Sequence, residues 1–133
     1  MSTTPPLFHS PDLAVHPLQA AEVPELQALF DAHPLYFQVV NGRSAHADEA
    51  QKEFDERPAP HLPWVRHHHT GVRDGRGTLV GTLVFTEGLC DAAVCHLGLF
   101  WLATPLHGSG LAEPLHEAWA DWARRQGARW LRL

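Results

Sequence analysis

Val94–Leu133 reads VCHLGLFWLATPLHGSGLAEPLHEAWADWARRQGARWLRL and parses into strand, glycine turn, helix and strand. Val94 to Leu102 is an apolar run broken only by His96 and Gly98, the pattern of a buried strand. Thr104-Pro105 ends it. His107-Gly108-Ser109-Gly110 is a turn of small residues that lets a ligand approach the backbone. Leu111, Leu115, Trp119, Trp122 and Ala123 then recur at helical spacing. Arg124 and Arg125 sit in the last turn with Gly127 just beyond, a normal helix ending. Ala128 to Leu133 begins another strand.

A helix that opens behind such a turn presents unbonded N–H groups and a partial positive charge, so an anion can dock there. A strand–helix connection can use the same glycines simply to turn. Spacing alone leaves both readings open.

Outward from this stretch the chain resolves in order. The start, MSTTPPLFHSP, lacks a basic segment and an apolar run, so residues 1–11 read as a flexible tail without a signal peptide. Residues 12–133 form one domain. Leu13 and Val15 alternate with Ala14 and His16 as a first strand closed by Pro17. Val23, Leu26, Leu29 and Phe30 mark a helix that accepts Pro24 in its first turn. His33-Pro34 ends it, Leu35 to Val40 is apolar and aromatic, and Asn41-Gly42 is a turn. Ser44 to Arg57 is a second helical stretch with Ala47, Ala50 and Phe54 on one face. Pro58, Pro60 and Pro63 make the next segment extended. Trp64–Val72 and Thr78–Thr86 are strands joined by the hairpin signal Asp74-Gly75-Arg76-Gly77. Gly88 and Asp91 turn the chain into the apolar strand. The element order is β-α-α-β-β-β-α-β: an α/β (α+β) domain with a mixed, mainly antiparallel sheet flanked by helices.

Composition narrows the function classes. A chain of 133 residues buries roughly two thirds of its unfolded surface. Its net charge of −5, with histidines neutral, gives no nucleic-acid footprint. The 11 histidines can move that balance below about pH 6.5. No apolar run is long enough to cross a membrane. Cys90 and Cys95 fit neither a disulfide framework nor a paired zinc pattern, so a reducing, cytoplasmic compartment is expected.

His107-Gly108-Ser109-Gly110-Leu111-Ala112 resembles the acyl-CoA signature of the GNAT N-acetyltransferase superfamily, Q/R-x-x-G-x-G/A. Gly110 and Ala112 are in place, and His107 stands where Gln or Arg is usual. The strand before, the helix after and the Gln126-Gly127-Ala128 ending extend the likeness over roughly residues 12–133. The resemblance implies direct acetyl transfer from acetyl-CoA to an amine. It implies pyrophosphate binding by the backbone of His107, Gly108, Ser109, Gly110, Leu111, Ala112 and Glu113, with no metal. It also implies that main-chain groups of Phe100 and Leu102 hold the pantetheine arm and polarise the thioester carbonyl. A base must make the amine neutral. His96 and Glu87 are the candidates, and a hydrogen-bonded core histidine is the other reading of His96. Tyr36 and Phe37 fall where the family shapes its acceptor pocket, or they pack the core.

The family continues with a helix carrying N-x-x-A-x-x-x-Y and two more strands, and its tyrosine often protonates the departing thiolate. This sequence stops at Leu133, and its one tyrosine is Tyr36. A C-terminally incomplete domain is expected, with an open edge at 128–133 able to pair two copies. The alternative functions are acyl-CoA binding without catalysis and a truncated, edge-dimerising protein.

Three other motifs carry less. Gly108-Ser109-Gly110-Leu111-Ala112-Glu113 nearly matches a dinucleotide fingerprint, but Glu113 takes the last glycine position and no acidic ribose binder follows. The turn lacks the Gly-Lys-Ser/Thr of a nucleotide P-loop. His67-His68-His69 puts His67 and His69 on one strand face, a metal pair only if a third ligand joins them and otherwise a polar face. As an H-H-x-x-x-D-G acyltransferase motif it fails, since Val72 or Arg73 stands where Asp is required.

Overall fold

The computed structural model describes residues 5–133. Six strands form one sheet in chain order: β1 (Phe8–His9), β2 (Leu13–Pro17), β3 (Arg66–Asp74), β4 (Leu79–Glu87), β5 (Val94–Leu102) and β6 (Trp130–Arg132). Neighbours are antiparallel except β5 and β6. That pair is parallel because a helix, α4 (Ala112–Arg125), carries the chain back between them. Between β2 and β3 lie α1 (Val23–Ala32), α2 (Leu35–Asn41) and α3 (Glu49–Asp55).

Two apolar layers hold the sheet, one on each face. Leu83, Phe85, Cys95, Leu97 and Leu102 meet Leu115, Trp119 and Trp122 of α4. Leu79, Trp101 and Ala103 meet Leu26, Phe30 and Phe37 of α1 and α2. Trp119 is wholly buried, and its truncation to Ala is expected to cost about 3–5 kcal/mol. Leu97 and Leu99 have the same parity yet serve opposite layers. The pairing steps from Val84↔Leu99 to Phe85↔Leu97, so Gly98 is an extra residue on β5 and reverses the facing of the strand.

The long-range tie between α1 and the sheet is ionic. Arg73 of β3 donates to Glu22 at 2.7 Å and to both oxygens of Glu25 at 2.8 Å. This fork holds the Glu25 carboxyl below its ordinary range. The Asp74–Gly77 turn closes on its own carboxylate, Asp74 Oδ1 accepting from the N–H groups of Arg76 and Thr78.

Three expectations need correction. The tail reading fails from Leu7 onward: Leu7 N–H donates to Val15 O at 2.8 Å and Phe8–His9 is a strand. Phe8 is 5% exposed because its ring packs on Phe85 and Trp122, apolar area that outweighs the entropy of a free end. Leu35 to Asn41 is a helix with Gly42 at its end in the left-handed conformation (φ 71°), so three helices, not two, precede β3. The second helical stretch begins at Glu49 rather than Ser44, and Ala47 is exposed ahead of it.

Candidate functional site

The glycine turn is pinned to the strand it follows. His107 Nε2 donates to Leu102 O at 2.9 Å, and Ser109 Oγ donates to Leu106 O. Gly108 and Gly110 have φ of 72° and 83°, the left-handed region. A Cβ at either position would meet open space, so backbone conformation rather than crowding requires glycine here. No side chain caps α4. The first-turn N–H groups of Ala112 and Glu113 therefore face outward beside Gly110, while Pro114 brings none. Leu111 is half-buried against the α4 layer.

β6 pairs with β5 only across Val94, Cys95 and His96. Next to this pairing lies a cleft of about 410 Å³, lined by Leu97, Gly98, Leu99, Phe100, Ala112, Glu113, His116 and Leu133. Ala103 N–H bonds Val80 O on β4, so by alternation the main-chain groups of Leu102 and Phe100 point away from β4. The Leu102 carbonyl is already taken by His107; its N–H and both groups of Phe100 are the ones left.

Gly98 also lines a second pocket, of about 230 Å³, with Glu53, Glu56, Arg57, His67, Thr86 and His96. Burial, then Glu56 and Glu49, push the Glu53 carboxyl up to about 7. His67 bonds Thr86 Oγ1 through Nδ1 at 2.8 Å, while its buried Nε2 has no partner among the described residues. Burial, helped by Arg57 and His68, lowers its basicity. His96 is lowered by burial and then by Arg132. Arg132 Nε donates to His96 Nδ1 at 3.2 Å, which leaves the proton of the neutral ring on Nε2. The larger hollow between the N-terminal segment and α4, about 600 Å³, has only exposed ionisable side chains: His9, Glu117, Asp121 and Arg125.

The candidates picked from sequence divide. Of His107 to Glu113, Phe100 and Leu102, the cleft beside β5 is lined by Phe100, Ala112 and Glu113, with Leu102 tied to the turn through His107. His96 lines the pocket across Gly98 from it. Glu87 does not join them: its side chain points to the α4 face and meets His68 Nε2 at 2.6 Å, with His68 stacked on Phe85. Phe37 is 5% exposed and wedged against Phe30 and Trp101, so it is core; Tyr36 is half-buried with its ring edge-on to Phe37. Among the described residues no group of three His, Cys, Asp or Glu side chains is placed to hold a metal ion, and no helix is long and apolar enough to cross a membrane.

This geometry has known counterparts. Residues 26–133 match the family model described as acetyltransferase (GNAT) family. The chain belongs to the GNAT acetyltransferase family. An acetyltransferase from Thermus thermophilus is similar to it at 22% identity and a TM-score of 0.72, over 92% of this chain and 75% of that one. A ribosomal-protein-alanine N-acetyltransferase from Brucella melitensis biovar Abortus 2308 aligns at 18% identity and a TM-score of 0.61, with 91% and 78% coverage. The spermidine N-acetyltransferase of Vibrio cholerae, solved with CoA and spermine, aligns at 14% identity and a TM-score of 0.58, with 84% and 63% coverage. No curated protein sequence matches the chain. Acetyl-CoA-dependent N-acetylation is the general reaction of the GNAT family.

Sequence reasoning missed Glu53 in this GNAT chain. Its helix carries Glu49 and Glu53 with Glu56 just beyond, among other charges, and no local pattern marks which of them faces the sheet. It also missed the bulge, for which the lone glycine at 98 inside an apolar strand was the available signal.

Proposed function

We propose that this chain moves the acetyl group of acetyl-CoA directly onto an amine. The observation that carries the reading is that two clefts share Gly98 as a wall: one opens to an uncapped helix N-terminus, the other to titratable side chains. The pyrophosphate would dock on N–H groups between Gly108 and Glu113, where the α4 dipole favours anions. The pantetheine amides would pair with the open β5 edge at Phe100 and the Leu102 N–H, as an added strand does. The thioester would then lie by the bulge, with the amine arriving from the Glu53 side. A bulge N–H aimed at the developing oxyanion stabilises it. His107 supports the turn through Leu102 O and contributes little directly to phosphate. A cytoplasmic setting suits the two unpaired thiols, Cys90 and Cys95.

Calorimetric titration with acetyl-CoA, followed by thiol release with spermidine and a peptide beginning with alanine, tests this. Micromolar binding with thiol release supports the transferase. Binding without release to any amine supports the acyl-CoA-binding alternative, and no binding removes both. The edge-pairing reading rests on β6, where Trp130 is 69% exposed on a strand with one free side. Light scattering across a concentration series tests it: mass rising with concentration in the wild type but not in Trp130→Lys is the expected outcome.

A further inference from the structure

Two carboxylates, Glu53 and Glu56, line the pocket behind Gly98 with no hydrogen bond or ion pair among the described residues, and of the two Glu56 is exposed while Glu53 is half-buried. Glu53 stands on α3, His67 on β3 and His96 on β5. His67 is engaged with Thr86 through one nitrogen, and the other is sealed from solvent. The Nδ1 lone pair of His96 is taken by Arg132, and its Nε2 carries the proton. Glu87, the other acid at this end of the sheet, is on the far face with His68. The Glu53 carboxylate has neither hydrogen bond nor ion pair among the described residues. The charges around it are Glu49 and Glu56 on its own segment, Arg57 at its end, and the two histidines across the pocket, with Arg132 behind His96. On the other side of α3, α1 brings Gln27, which accepts from Ala50 N–H.

We propose that Glu53 is the catalytic base of the reaction, taking a proton from a cationic primary amine in this pocket. The proposal rests on the transferase reading above. The ammonium gives one proton to the Glu53 carboxylate. The freed nitrogen lone pair attacks the thioester carbon, and the C–S bond breaks as the C–N bond is kept. A second nitrogen proton leaves with the collapse and ends on the CoA thiolate, and the third stays on the amide. Glu53 then returns its proton to water through the open mouth of the pocket. Its desolvated position between Glu56 and Glu49 suits this work, since a carboxyl that titrates at about 7 is both a competent acceptor and mostly ionised above neutrality. Two nearby carboxylates also favour a cation over a neutral or anionic acceptor.

The test uses the full chain and Glu53→Gln, with spermidine as the acceptor probe over about pH 6 to 9. Acetyl-CoA affinity is expected to be unchanged. The kcat/KM for spermidine should fall about a hundredfold, and the acidic limb with a midpoint near 7 should vanish. Glu53→Asp should restore part of the rate together with the limb. Glu53→Gln activity within about threefold of wild type, with the limb intact, overturns the proposal. A carbon-13 titration of the Glu53 carboxyl in the acetyl-CoA complex needs no acceptor: a midpoint near 7 supports the base, and one near 4.5 overturns it. Calorimetry keeps the two readings apart. Failure of the wild type to bind acetyl-CoA brings down the transferase reading and this proposal with it.

Discussion

The two sides of Gly98 are built on different principles. The cleft beside β5 is a main-chain site: the donors at its rim are backbone N–H groups, and its lining comes from β5, the first turns of α4 and Leu133. The pocket on the other side is a side-chain site, assembled from α3, β3, β4 and β5 across more than forty positions of sequence. A main-chain site tolerates many side chains and is broken by backbone changes. A side-chain site is the reverse, and its chemistry depends on burial that no short motif encodes.

This contrast is tested most severely at Gly110. Gly110→Asp puts a Cβ on a backbone at φ 83° and a carboxylate beside the helix N-terminus. Acetyl-CoA affinity is expected to drop more than a hundredfold, about 3 kcal/mol, by calorimetry, while thermal stability falls by only about 1 kcal/mol. Unchanged affinity would move the anion site elsewhere.

The next effect belongs to the side-chain face. His69 is half-buried beside Phe54 with both ring nitrogens sealed from solvent and without a partner among the described residues, and desolvation pushes its pKa down to about 4. The unfolded chain takes up this proton near 6.5 and the folded one resists it, so stability falls with pH from about 6.5 toward 4. His69→Leu should flatten that slope by about 2 kcal/mol in urea melts run between those limits. An unchanged slope would mean that other groups control acid unfolding.

His107→Ala probes the main-chain claim from the other direction. It removes one bond to Leu102 O, and acetyl-CoA binding should weaken by only about 1 kcal/mol. A loss of several kcal/mol would make the imidazole a direct phosphate partner.

The smallest effect separates charge from fold at Glu53. Its pKa is raised from 4.5 to about 7 in the folded chain, so the carboxylate destabilises the fold increasingly from about pH 4.5 to 7 and fully above that. Glu53→Gln should therefore be more stable than wild type at pH 8 by on the order of 1 kcal/mol, discounted for partial exposure, with no gain below pH 4.5. A denaturant series at the two pH values reads this directly. A variant that loses stability at both would show a packing role for the side chain.

The β5–turn–α4–β6 unit, the β3–β4 hairpin and the glycine turn at 107–110 were legible in the residues alone. They rest on local rules: period-two and period-3.6 apolar spacing, glycines where φ is positive, and a helix end that must present N–H groups. Phe8 was not legible, because its burial depends on Trp122 more than a hundred positions away. Nor was the helix at 35–41, whose apolar run suits either kind of element. Which acid works where was a matter for the folded chain. Glu87 and Glu53 look equally plausible as residues, but strand facing sent Glu87 to His68 on the α4 side. The packing of α3 over the bulged strand desolvated Glu53 between two like charges. Facing after a bulge and the dielectric around a carboxyl are set by what packs against them, and that information exists only once distant segments have met.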